Sequence, residues 1–132
     1  MTHPSSPEPP RAPLDDDMWT SALIEALQRA HAATVAETAA LRAHDLSDLA
    51  AHTARKDQSL LDLTRRASRL NGAPPPAAHF GVQKLRAALI ENQAALRAQL
   101  NAARYISDIL MRAIADEESD RTYTFHHAAR AR

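Results

Sequence analysis

The sequence predicts an all-α protein: an antiparallel helical hairpin and a long third amphipathic helix, together forming a coiled-coil-like three-helix bundle. Helix-forming residues dominate the 132-residue chain, and Ala alone occupies 29 positions. Aromatic residues make up only 4%, which favours long helices meeting along narrow seams over one thick core. Apolar residues also recur at alternating three- and four-residue spacings in three separate stretches.

Prolines divide the chain into segments. Residues 1–14 hold five of the eight prolines, and we expect this arm to be disordered because proline opposes both helices and sheet ladders. The three consecutive prolines, Pro74 to Pro76, predict a linker over 71–77. Between these breaks and beyond them, residues 15–120 are predicted to form a single helical domain and residues 121–132 a flexible tail.

The first two predicted helices, about 17–43 and 46–70, have matching lengths, which favours an antiparallel hairpin. A five-residue step from Leu41 to Leu46 interrupts the apolar spacing, so we expect a short turn or sharp kink near His44. The seam of the first helix consists of Leu23, Leu27, Ala30, Thr34, Glu37 and Leu41. The seam of the second consists of Leu46, Leu49, Thr53, Lys56, Leu60, Leu63, Ala67 and Leu70.

The third predicted helix, about 78–117, is longer than the hairpin. It would therefore present an apolar stripe that its own chain leaves partly uncovered, which is typical of a partner site. Its seam consists of Val82, Leu85, Leu89, Asn92, Leu96, Gln99, Ala103, Ile106, Leu110 and Ala113. The polar members Asn92 and Gln99 either set the register inside the bundle or face water until a partner arrives.

Composition excludes several classes of function. Sixteen basic and sixteen acidic residues cancel, so binding to nucleic acid loses its main driving force. Cysteine is absent, and the two glycines lie too far apart for a phosphate-binding loop. No apolar run reaches the roughly 20 residues that span a bilayer, and residues 1–13 lack the apolar core of a secretory signal. We therefore expect a cytoplasmic protein without stable membrane insertion.

Nothing in the sequence predicts a catalytic residue, a metal site or a cofactor, so we do not expect an enzyme. The seven histidines show no metal-ligand spacing, and no pair of carboxylates stands in an apolar context suited to acid/base catalysis. Glu37 lies on the seam of the first helix. Burial there would raise its pKa, although such a residue more often snorkels to the surface or pairs with an Arg.

The stretch Ala51-His52-Thr53-Ala54-Arg55 resembles the phosphoryl-accepting strip of histidine phosphotransfer domains, which are helical bundles. Arg55 stands where that family has Lys, the small Gly of the strip is missing, and Asp57 adds negative charge nearby. A phosphotransfer domain acting through His52 is therefore one alternative function. A structural coiled-coil oligomer is another.

A second resemblance spans roughly residues 20–125. Glu37-Thr38-Ala39-Ala40-Leu41 is followed by a break at Asp45-Leu46 and by Lys56-Asp57-Gln58-Ser59-Leu60-Leu61. The pattern resumes with Leu89-Ile90-Glu91-Asn92-Gln93-Ala94-Ala95-Leu96, Asn101 and a late Tyr123. In order and spacing these segments resemble flagellar export chaperones of the FlgN type. His44 stands where that family often has Gly before the Asp.

The resemblance implies a cytoplasmic chaperone without catalysis or cofactor. Its partners would be hook-associated proteins, held by their C-terminal helical segment before type III export, and the flagellar export gate. We expect the client to lie on one face of the third helix, contacting Leu89, Asn92, Leu96, Ala103, Ile106 and Leu110. By resemblance, Tyr123 would contact the export gate.

Overall fold

The computed structural model describes residue 4, residues 13–70 and residues 72–130. Within these residues the chain is helical and contains no strand, which confirms the predicted all-α class. The elements are α1 (Pro13–Arg42), α2 (Leu49–Ala67), a short 3₁₀ turn (Pro76–Ala78) and α3 (His79–Arg130). Most of the arm predicted to be disordered, and Asn71 in the predicted linker, lie outside the described residues.

The helix bounds differ from the predicted ones. α1 begins earlier, at Pro13, because proline is favoured in the first turn, where its missing N–H leaves no helical hydrogen bond unmade. α2 is shorter at both ends than the predicted 46–70. α3 continues well past the predicted end at 117, so residues 121–130, predicted as a flexible tail, are helical.

The chain divides into two compact units, Met1–Gln93 and Ala94–Arg132. The sequence had predicted one domain over 15–120. The first unit contains α1, α2 and the beginning of α3, and the second contains the remainder of α3. In the part of the chain that the structure describes, no helix has the length and apolarity needed to cross a membrane.

The turn after α1 lies at the predicted place. His44 adopts a positive φ of 53°, which is the left-handed conformation that commonly ends a helix. Its backbone N–H donates to Leu41 O at 3.2 Å, and that of Asp45 donates to Ala40 O at 3.1 Å. This pair of bonds satisfies two carbonyls at the end of α1. The left-handed backbone also explains why glycine would suit position 44.

The second half of the turn is held by Asp45. Its Oδ1 accepts hydrogen bonds from the hydroxyl of Ser47 at 2.6 Å and from the backbone N–H of Ser47 at 3.4 Å. These bonds lower the pKa of the Asp45 carboxyl below its ordinary value. Asp48 precedes α2 but makes no side-chain cap, so the turn depends on Asp45 rather than on both carboxylates.

The core of the first unit follows the predicted seams. All six seam residues of α1 are buried. Leu23, Leu27 and Ala30 form an apolar cluster with Ala78 and Leu85, and partly buried Leu60 and Leu63 of α2 pack against it. Every α2 seam residue from position 49 onward is half-buried, whereas Leu46 is 44% exposed.

α1 and α3 approach closely at one glycine. A Cβ at Gly81 would lie 3.3 Å from Cδ1 of Leu27, so even a methyl group there would require the Leu27 side chain to shift by a few tenths of an ångström. Arg42 of α1 also contacts Glu91 of α3 in an exposed ion pair. The beginning of α3 is therefore fixed against α1 at both ends of their contact.

Candidate functional site

A buried polar cluster joins all three helices of the first unit. We define it as Glu37 and Thr38 of α1, Lys56 of α2 and Asn92 of α3. The Lys56 ammonium donates to Glu37 Oε1 at 2.7 Å and to Asn92 Oδ1 at 3.1 Å. The Asn92 amide donates to Glu37 Oε1 at 2.9 Å and to Thr38 Oγ1 at 3.1 Å. Each helix thus supplies at least one member.

The cluster excludes water almost completely. The side chain of Glu37 has 0% exposure and that of Lys56 has 12%, and Asn92 is 2% exposed. Removing such charges from water is costly, and only close pairing with additional hydrogen bonds offsets the cost. The geometry meets this condition at one oxygen only: Oε1 of Glu37 accepts from both the ammonium and the amide, whereas Oε2 is enclosed and accepts no hydrogen bond from any described residue.

The pKa of Glu37 lies below its ordinary value. Burial alone would raise it, but hydrogen bonds from Lys56 and Asn92, together with the charge of Lys56, outweigh the burial. Of the alternatives that the sequence left open, a raised pKa is not observed, and the buried carboxylate pairs with a Lys rather than with an Arg. The partner is Lys56, which lies on the predicted seam of α2.

A stripe of exposed apolar residues runs along α3 in the second unit. Successive members are three or four residues apart, which places them within an arc of about 120° on one helix face. We call this set the apolar stripe: Leu96, Leu100, Ala103, Ile106, Leu110 and Ile114. Leu96 is 37% exposed, and Ile106 and Leu110 are each 57% exposed. All described side chains from position 101 to 126 are exposed.

The six predicted client-binding residues are divided between two environments. Leu89 is half-buried against the core cluster, and Asn92 is enclosed in the polar cluster. Leu96, Ala103, Ile106 and Leu110 are exposed. Asn92 therefore faces the inside of the bundle, which resolves one of the two alternatives left by the sequence. Gln99, the other polar seam residue, is half-buried in the second unit.

Two members of the stripe are absent from the predicted seam of the third helix. Leu100 and Ile114 are each 50% exposed and lie four residues after Leu96 and Leu110. The predicted seam instead used Gln99 and Ala113, one residue earlier in each case. A signal was present, because a step of four reaches a large apolar residue at both places and a step of three does not.

Tyr123 lies within α3 and is 67% exposed. The sequence predicted a flexible tail at this position. In the structure it belongs to the helical second unit, together with Phe125, which is 73% exposed. The predicted contact residue is therefore carried by a helix.

A groove of about 400 Å³ lies in the first unit. Its walls come from α1, from the end of α2 and from the beginning of α3, and they are mainly apolar. The residues that bring large apolar side chains to it include Leu23, Leu27, Leu63, Leu85, Leu89 and Ile90. Leu89 is thus accessible from this groove even though it packs against the core.

His52, the residue of the phosphotransfer alternative, is half-buried near the start of α2. Its Nδ1 is enclosed and makes no hydrogen bond to any described residue. The described part of the chain also contains no group of three or more His, Cys, Asp or Glu residues placed to hold a metal ion.

These features define a small all-α helical bundle. Its interior contains the polar cluster, and the apolar stripe of α3 is exposed. Comparisons of the chain with protein-family models, with curated proteins and with solved structures give no match.

Proposed function

We propose that this protein is a cytoplasmic chaperone of flagellar type III export, of the FlgN type. In this proposal it binds the C-terminal helical segment of a hook-associated protein, prevents premature assembly of that client and delivers it to the export gate. It acts by binding alone, without catalysis or a cofactor. The order and spacing of the family-like segments support the family, and the structure of the second unit supports the mode of binding.

The observation that carries the proposal is the exposed apolar stripe of α3. Its largest members, among them Leu96, Ile106 and Leu110, expose between 37% and 57% of their surface. A regular apolar stripe along a helix is the surface that a second amphipathic helix recognises. A client segment that packs as a helix in the assembled filament would bury its own apolar face on this stripe.

Both the affinity and its limits follow from this geometry. Each Leu or Ile fully buried by the client contributes about 1.5 to 3 kcal/mol before the cost of ordering the client is subtracted. Ala103 allows the two helix backbones to approach closely between larger neighbours. A single exposed stripe of apolar side chains favours a complex that can dissociate, as export requires.

The decisive experiment changes the stripe without changing the first unit. Replacing Leu96 and Ile106 together by Asp places two carboxylates in the proposed interface. We expect this variant to bind a purified hook-associated protein at least about a hundredfold more weakly in calorimetry, because each charge must lose its water on binding. Both residues are exposed, so the helical content should stay that of the unaltered chain.

A matched control carries two Asp substitutions on the opposite side of α3, at the exposed positions Asn101 and Arg112. It should bind the client with unchanged affinity. Equal affinity of the stripe variant and the unaltered protein would exclude the stripe as the client site. Absence of binding by the unaltered chain to every hook-associated protein would reject the chaperone function.

Contact with the export gate is proposed for Tyr123 by resemblance, and its exposure on α3 supports this role. A Tyr123→Ala variant should bind the client normally and lose association with purified gate components. Undiminished association with the gate would exclude Tyr123 from that contact.

The same exposed stripe also favours a second candidate function, a structural coiled-coil oligomer. In that case α3 of one copy would cover α3 of another, and the apolar surface would never be available to a client. Sedimentation at several concentrations separates the two. A stable oligomer that the Leu96→Asp/Ile106→Asp variant dissociates, without any client binding, supports the coiled coil.

A further inference from the structure

A second groove, of about 720 Å³, lies along the helical hairpin of the first unit. The described residues that line it come from α1 and α2 alone, so it is separate from the contact between α1 and α3. Its floor is formed by the small residues Ala32, Ala33, Ala36 and Ala54. Leu61 also lines it and is 51% exposed, so a large apolar side chain stands uncovered there.

The rim of this groove is cationic. Three guanidinium groups, those of Arg29, Arg55 and Arg65, line it beside a single carboxylate, Asp62. Asp62 is already shared, since it contacts Arg29 at 3.2 Å and also the Arg66 guanidinium at 3.2 Å. Neither Arg55 nor Arg65 makes an ion pair with any described residue. The groove therefore has more positive charge than its own acid can balance.

We infer that this groove is a docking site for an acidic amphipathic helix of a partner protein, which would pack as a fourth helix on the hairpin. Apolar residues of that helix would fill the space above the alanines and cover Leu61, and carboxylates flanking them would pair with Arg55 and Arg65. Small floor residues on two adjacent helices allow close packing of a third. The inference concerns a surface other than the apolar stripe and does not depend on the proposed function.

The dimensions fit a short helix. The lining residues span positions 29–36 of α1 and 54–65 of α2, or about 10 Å and about 16 Å along the helix axes at 1.5 Å per residue. About three turns of a docked helix match this length. Charge complementarity at the rim would then fix the orientation and select acidic over basic helices.

The test uses two synthetic peptide probes of about 18 residues. Both carry the same Leu stripe at helical spacing, flanked by Glu in one and by Lys in the other. With the full chain, we expect the Glu peptide to bind at least about tenfold more tightly than the Lys peptide, as measured by fluorescence anisotropy. This preference should shrink when the salt is raised from about 50 to about 300 mM, because exposed charge pairs are screened.

Charge reversal assigns the binding to this groove. The variant Arg55→Glu/Arg65→Glu should lose affinity for the Glu peptide and gain affinity for the Lys peptide, each by about tenfold. The control Arg97→Glu/Arg104→Glu reverses two exposed charges on α3 and should leave the preference unchanged. An Ala32→Trp variant, altered at an exposed floor position, should bind both peptides more weakly.

Three results would overturn the inference: equal binding of the two peptides, absence of binding, or an equal effect of the control variant. Sedimentation of the chain alone supplies a further check. A self-associated species that Arg55→Glu/Arg65→Glu dissociates would make the occupant a second copy of this chain and not a different protein. The Leu96→Asp/Ile106→Asp variant should bind the Glu peptide normally, so failure here is distinguishable from failure of the chaperone proposal.

Discussion

The ammonium of Lys56 lies 2.7 Å from Glu37 Oε1, in a site where the glutamate side chain is fully enclosed and the lysine side chain is 12% exposed. Asn92 of α3 hydrogen-bonds to both residues. The ion pair therefore links α1 to α2 and, through the amide, both helices to α3. A polar contact of this kind tolerates far fewer alternative alignments than an apolar seam does.

The first prediction concerns the loss of one partner. Replacing Lys56 by Met keeps most of the side-chain volume but leaves the Glu37 carboxylate buried without its cation. We expect a loss of about 3 kcal/mol in the free energy of unfolding, measured by urea denaturation at neutral pH. Lys84→Met is the matched control, since Lys84 is exposed and lies over the Phe80 ring at 5.5 Å. A loss of unfolding free energy no larger than in the control would mean that the buried pair contributes little to stability.

The second prediction concerns pH. The pKa of Glu37 is lower in the folded protein than its ordinary value of 4.5. Its ionised form is therefore favoured by folding, and the resulting stabilisation is present above pH 4.5 and is lost as the pH falls through the folded value. We expect the urea midpoint to fall between about pH 6 and about pH 3.

The variant Glu37→Gln isolates the contribution of Glu37 to this pH dependence of stability. Asp45 and Asp62 also have lowered pKa values, and their contributions remain in both proteins. The variant should be less stable at neutral pH, and the difference in unfolding free energy between the two proteins should shrink on acidification. A difference that is constant with pH would show that Glu37 does not titrate in this range.

The sequence predicted the fold through its spacing. The seam of α1 was identified residue by residue, and the turn at His44 followed from the five-residue step between Leu41 and Leu46. Helix ends were less well predicted. Each end depends on local hydrogen bonds, such as those of Asp45 with Ser47, and these cannot be read from the periodicity of apolar residues.

The candidate site was predicted only in part. The spacing identified the face of α3 but not the point at which that face ceases to be buried, so Asn92 and Leu110 were grouped together. The polar cluster was not predicted as a unit. Glu37, Lys56 and Asn92 each occupied a predicted seam, but which of them meet depends on how the three helices align, which the sequence of one helix does not contain.

The third prediction separates the two environments of the predicted client site. Asn92→Ala removes hydrogen bonds to Glu37 and Thr38, so it should lower the free energy of unfolding by about 1 to 3 kcal/mol and leave client affinity nearly unchanged. Leu110→Asp, at a position 57% exposed, should weaken client binding and leave the free energy of unfolding nearly unchanged. Calorimetry with a hook-associated protein and urea unfolding of both variants measure this. Equal losses of affinity in the two variants would contradict the separation.

The fourth prediction concerns the turn between α1 and α2. His44 has a φ of 53°, a region that costs a residue with a Cβ about 1 to 2 kcal/mol, and glycine avoids that cost. Glycine also loses more freedom on folding, by about 0.5 to 1 kcal/mol. His44→Gly should therefore raise the free energy of unfolding by about 0.5 to 1 kcal/mol, read from thermal and urea transitions. His31→Gly, a matched change inside α1, should lower it by about 0.3 to 0.5 kcal/mol, which is the difference between the helix propensities of His and Gly. A His44→Gly variant less stable than the unaltered chain would mean that the imidazole contributes more to the turn than its backbone strain removes.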